Sequence, residues 1–133
     1  MESTEHLHLD PVPRVVGQAR TFIREHAPTM AGDVVDVLVL LTSELVTNAV
    51  IHARTAIEVG ITITTSKLLI TVHDEDLGHA SDSTPGREGG RGLGLVAAMS
   101  EETATERHVG EGKTVWFRLA RVAPTGEPVE VTA

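Results

Sequence analysis

The chain contains no cysteine, which excludes disulfides, thiolate metal sites and a cysteine nucleophile. Aromatic residues are almost as scarce. One tryptophan and two phenylalanines (Trp116, Phe22, Phe117) are too few for a platform that stacks nucleic-acid bases. Positive charge is also short: 11 Lys and Arg stand against 19 Asp and Glu, for a net charge of −8. Binding to a phosphate backbone needs the opposite balance, so direct contact with nucleic acid is not expected. Residues Met1 to His6 are polar and acidic and lack the basic and apolar regions of a signal peptide. Asp36 and Glu44 interrupt the longest apolar run before it reaches the ~18 uncharged residues of a membrane span. The composition therefore predicts a cytoplasmic protein with no membrane segment. Its 133 residues suffice for one domain that buries about two-thirds of its unfolded surface. We expect that domain to occupy residues 1–122, with a polar, proline-containing tail over 123–133.

What is present is organised around Leu41-Thr-Ser-Glu-Leu-Val-Thr-Asn-Ala-Val-Ile-His-Ala53. Val37 to Leu41, just before it, is apolar on every side, so the helix predicted here should be buried nearly all round. Glu44 and Asn48 would project side by side on it, about 40° apart around the axis. A carboxylate and an amide buried without partners each cost a few kcal/mol. Either a neighbouring group of the protein satisfies them, or they line a face occupied by a hydrated metal ion and a phosphate.

Around this helix the pattern alternates between elements. Residues 5–9 alternate as a short edge strand, and Asp10, Pro11 and Pro13 are start signals for a helix running to about His26. Arg20 and Arg24 share the outer face of that helix, either as a docking surface for an acidic partner or as a solvated face. Asp33 is the expected N-cap of the central helix, which should end near Ala53. Ile57, Val59, Ile61 and Ile63 lie on one face of a strand over 57–65. A turn at Ser66-Lys67 leads to its hairpin partner, Leu68 to His73. Gly78 to Gly92 is polar and glycine-rich, the signature of a lid or binding loop, and a short helix follows to Ser100. Residues 103–109 make a weak strand. Residues 114–121 make a stronger one, with Val115, Phe117 and Leu119 facing one way and Thr114, Trp116 and Arg118 the other.

Two familiar patterns fail on context. Gly110-Glu-Gly-Lys-Thr114 resembles the end of a phosphate-binding P-loop, but Arg107 stands where its first glycine belongs and a strand follows instead of a helix. Gly92-x-Gly94-x-x-Ala97 fits a dinucleotide fingerprint, yet no strand precedes it. The seven histidines show no zinc-ligand spacing on one element, and there is no GxSxG elbow.

Four pieces remain, in order: Ser43 to Ala53, Val72-His-Asp74, Gly90-Arg-Gly-Leu-Gly-Leu-Val96 and Gly112-Lys-Thr-Val-Trp116. Together, over about residues 5–121, they resemble the GHKL ATP-binding fold of histidine kinases, gyrase-type ATPases and anti-sigma-factor kinases. They are most similar to the stand-alone anti-sigma-factor serine-protein kinases, in their short actinobacterial form. The resemblance implies an α/β two-layer sandwich: a mixed, mostly antiparallel sheet covered on one face by helices, the Bergerat-type ATP-binding fold. It implies ATP and Mg²⁺ as ligands. Glu44 would be the catalytic general base and the Asn48 amide oxygen a hard, neutral Mg²⁺ ligand. Asp74 would accept a hydrogen bond from the adenine amino group and so select ATP over GTP. Gly78, Arg91, Gly92, Leu93, Gly94, Leu95 and Thr114 would complete the nucleotide site, with phosphate oxygens approaching the bare amides at Gly92 and Gly94 and Thr114 near adenine. Arg87 and Arg91 either pair with phosphate or are solvated.

The implied activity is phosphorylation of a serine on an antagonist protein by a homodimer that also sequesters a sigma factor. The alternative is a non-catalytic interaction module of the same fold, with or without nucleotide. At 133 residues the chain is not expected to hold a phosphoacceptor helical hairpin or a second gyrase-type domain. One position departs from the pattern. The loop usually reads Asp-x-Gly-x-Gly, but here it is Asp74-Glu-Asp76-Leu-Gly78. Asp76 would cost roughly 1 kcal/mol if its φ were positive, and its carboxylate disfavours a bound anion.

Overall fold

Strict alternation at Ile57, Val59 and Ile61 builds the strand on which the domain is laid down, since β-branched residues suit a pleated surface buried on one side. In the computed structural model, which describes residues 2–77 and 90–121, this strand is β2 (Ile57–Ile63). β1 (Ser3–Leu9) lies on its outer side and β3 (Lys67–Asp74) on its inner side. β5 (Gly112–Ala120) and β4 (Glu102–His108) complete a five-stranded sheet in the order β1-β2-β3-β5-β4. All of its pairings are antiparallel, so the mixed character expected from the resemblance is absent among the described residues.

Helices α1 (Val15–His26), α2 (Gly32–Asn48) and α3 (Gly90–Met99) form the second layer, with α2 packed against both of the others. The core lies between layers. Ile57, Val59 and Ile61 from β2, Leu68, Ile70 and Val72 from β3, and Phe117 meet Ile23, Leu38, Leu41, Val46 and Val96 from the helices, all at most 2% exposed. The opposite face of the sheet carries Thr71, His73, Thr114 and Trp116.

The central helix departs from expectation in three ways. Its N-cap is Ala31, because the helix already begins at Gly32 and Asp33 is its second residue, where the carboxylate accepts from the adjacent Val34 N–H at 3.0 Å. It is not apolar-buried all round: Leu40 is 41% exposed and Ile51 52%. Its last turn, Ala49–Ala53, widens to a π-helix and ends at Arg54 in the left-handed region, φ 57°. By length and composition Gly32–Ala53 could cross a membrane, yet Leu38, Val39, Leu41, Leu45 and Val46 are buried here in the domain's own core.

Arg20 and Arg24, read as a possible docking stripe, tie α1 to α2. Arg20 Nε donates to Ser43 Oγ at 2.8 Å, and the Ser43 hydroxyl donates to the Val39 carbonyl at 2.8 Å. Arg24 pairs with Asp36 at 3.3 Å. At the far end, Lys67 Nζ donates to both oxygens of Glu101, at 2.6 and 2.8 Å, just after α3. That hydrogen bond, with Arg118 adding to it, holds the Glu101 carboxyl below its usual range.

Candidate functional site

The amphipathic demands of α2 place Glu44 and Asn48 on one side of it, a single turn apart, next to a chain of residues committed to packing. Thr42 and Ser43, just before Glu44, are buried and bond back into the helix, to the Leu38 and Val39 carbonyls. Glu44 and Asn48 do neither. Both are half-buried, and neither side chain makes a hydrogen bond or ion pair among the described residues. The Asn48 Nδ2 is fully buried and unpartnered. Of the two alternatives left open by the sequence, satisfaction by a neighbouring group is therefore not what the described residues show. Leaving that donor unpaired costs roughly 1–3 kcal/mol.

Asp74 closes β3 on the helix-covered face, in line with Leu68, Ile70 and Val72, and is 1% exposed. Its position is fixed from several sides. The next residue, Glu75, donates its backbone N–H to Thr55 Oγ1 at 2.8 Å, just past the π-helical turn. Gly112 packs so closely that a Cβ there would lie 2.1 Å from the Asp74 carbonyl oxygen, and its φ is +90°. Asp74 Oδ1 accepts the Asp76 N–H at 3.0 Å, and Oδ2 pairs with Lys113 Nζ at 2.8 Å. Asp76 does not carry the positive φ that the glycine pattern suggested. Its own carboxylate lies 3.9 Å from Lys113 Nζ, so the added negative charge has a cation beside it.

Lys113, the partner of Asp74, has no role of its own in the sequence reading, where it stands only inside the failed P-loop and inside the Gly112 to Trp116 piece. The signal lay in strand register: Asp74 pairs directly with Lys113 across β3 and β5. The same register carries Thr114 to the other face of the sheet, opposite His73, away from Asp74. There Thr114 Oγ1 shares hydrogen bonds with His73 Nδ1 at 2.9 Å and His108 Nε2 at 3.1 Å. The structure thus does not bring Thr114 to Asp74. A groove of about 600 Å³ on that side, lined by His73, Glu75, Leu77, His108, Gly110 and Glu111, shares no residue with the Glu44–Asn48–Asp74 set.

The glycine-rich segment forms the first turns of α3, which lies against α2. Leu95 is half-buried against the core, while Gly94 is exposed, and a Cβ built on it would meet nothing within 4 Å. Among the described residues nothing fills the space beside Gly94. Gly78 and Arg87 lie outside the described residues, as do the side chains of Arg91 and Leu93.

The profile of the histidine kinase-like ATPase domain family matches residues 9–119, from the end of β1 to the end of β5. The chain belongs to that family. It is a GHKL-type ATP-binding domain, and its two-layer architecture agrees with that membership. A comparison with curated proteins finds no match.

The residues present fit the ligand that such an ATPase domain takes. Asn48 offers an amide whose oxygen suits Mg²⁺, Gly94 stands at the fifth position of α3 with no described atom beside it, and Asp74 is a buried carboxylate able to accept from an amino group. Gly94 also separates stability from binding. Glycine inside a helix costs roughly 0.5–1 kcal/mol relative to alanine. Gly94→Ala is therefore expected to raise the melting temperature of the free protein by a few degrees. The same substitution should reduce the further rise produced by millimolar Mg-ATP, because the new methyl group fills the open space. Equal Mg-ATP shifts in both proteins would remove Gly94 from the site.

Proposed function

We propose that this ATPase domain is a serine-protein kinase of the anti-sigma-factor type. It would act as a cytoplasmic homodimer that sequesters a sigma factor and phosphorylates a serine of an antagonist protein. The observation that carries the proposal is the pair on α2. Glu44 and Asn48 stand one turn apart with no partner among the described residues, and the amide nitrogen is buried.

Asn48 would hold Mg²⁺ through its oxygen, and the metal, when bound, neutralises charge on the phosphates. Glu44 would accept the proton of a partner's serine hydroxyl. The serine oxygen then bonds to the terminal phosphorus, the bond from that phosphorus to the bridging oxygen breaks, and ADP leaves with its electron pair. Gly94 adds no side chain on the phosphate side, and Asp74 would orient the base.

A second reading, a binding module without turnover, draws on Asp74, both of whose oxygens are already engaged within the chain. Incubation with γ-labelled ATP, Mg²⁺ and antagonist-type proteins encoded near this one separates the two. The kinase reading expects label on serine of one of them. Nucleotide binding without labelled serine would favour the module.

A further inference from the structure

The base-reading end of the site presents two adjacent groups of opposite hydrogen-bonding character. Asp74 Oδ2 accepts and Lys113 Nζ donates, 2.8 Å apart, with side-chain exposures of only 2% and 14%. Gly112 locks the backbone of β5 against that of Asp74 and Glu75, so the pair is built into the sheet. The Asp76 carboxylate gives Lys113 Nζ a second counter-charge at 3.9 Å. The ammonium can therefore shift along its flexible stem without losing its counter-charge.

A carboxylate alone selects adenine. It accepts from the 6-amino group, and it faces a 6-keto purine acceptor to acceptor. The adjacent ammonium changes that chemistry. Adenine presents a donor at position 6 and an acceptor at position 1, whereas hypoxanthine and guanine present an acceptor at position 6 and a donor at position 1. An acceptor and a donor side by side, one of them on a flexible stem, can complement either order.

We propose that Lys113 is a specificity-determining residue that, paired with Asp74, makes this site accept 6-amino and 6-keto purine nucleotides alike. The proposal rests on the ATP-binding reading of the site and goes beyond it.

Calorimetric titration of the whole chain with Mg-ATP and Mg-ITP tests it, inosine being chosen because it differs at positions 1 and 6 without adding a 2-amino group. The wild type should bind the two with Kd values within about fivefold. Lys113→Thr should favour ATP by roughly tenfold or more, since a keto group then meets an uncompensated buried carboxylate. A wild type that prefers ATP by about tenfold or more overturns the proposal and leaves the ATP reading intact. A Lys113→Thr protein as tolerant as the wild type also overturns it. Binding of neither nucleotide overturns the ATP reading and this proposal with it. Should Lys113→Thr not fold, the wild type is titrated with 1-deaza-ATP, which lacks the acceptor that Lys113 would meet. A loss of roughly tenfold relative to ATP supports the proposal, and an unchanged Kd overturns it.

Discussion

Glu44→Gln is expected to lower phosphotransfer to a protein serine by ~10²–10⁴-fold while leaving the fold and nucleotide binding in place. The substitution keeps the shape of the side chain and removes only its ability to take a proton. Glu44 makes no hydrogen bond or ion pair among the described residues, so no internal contact is lost. Its effect on stability should stay within about 0.5 kcal/mol, as for substitutions away from packed or bonded groups. Affinity for Mg-ATP should be unchanged or slightly higher, because one negative charge beside the phosphates has been removed. The expected pattern is a fall in kcat with no rise in Kd, since proton transfer is made only on the way to the transition state. Wild-type rates from this variant would exclude Glu44 as the base. A rise in Kd with kcat preserved would instead make it a binding residue.

Most of the sheet and helices could be read from local pattern, because each element carries its own period. The alternation in β2, the β2–β3 hairpin and the inward row Val115, Phe117 and Leu119 need only near neighbours, and the structure shows all of them. Glu44 and Asn48 were legible for the same reason: helical spacing alone puts them together. Features set by contacts distant in sequence were not legible. Lys113 meets Asp74 only because of the β3–β5 register, and a shift of one residue would have brought Thr114 to that face instead. The widening of α2 at Ala49–Ala53 and the left-handed Arg54 are announced by no residue type. Asp33 looked like a cap because caps are recognised by residue type, whereas Ala31 adopts the extended backbone that begins the helix.

Gly112→Ala is expected to be the most destabilising single-methyl addition among the glycines whose surroundings are described. Its Cβ would lie 2.1 Å from the Asp74 carbonyl oxygen and 2.6 Å from Glu75 Cα. Both are backbone atoms, so no rotamer change relieves the overlap. The φ of +90° adds the strain of a region that L-residues avoid. The overlap and the strain together should cost about 3–5 kcal/mol and lower the melting temperature by roughly 10 °C or more. Gly110 is the control, because its φ is also positive, at +74°, yet a Cβ there meets nothing. Gly110→Ala should lose only the conformational part, about 1 kcal/mol. The difference between the two variants measures the close approach of β5 to the end of β3, the contact that sets Lys113 against Asp74. If a Gly112→Ala protein stays folded, its affinity for nucleotide should fall further than that of Gly110→Ala, since the two strands must separate beside Asp74, the residue proposed to orient the base. Equal losses of stability in the two variants would show that β5 does not press on Asp74, and the pairing of Asp74 with Lys113 would lose its structural cause.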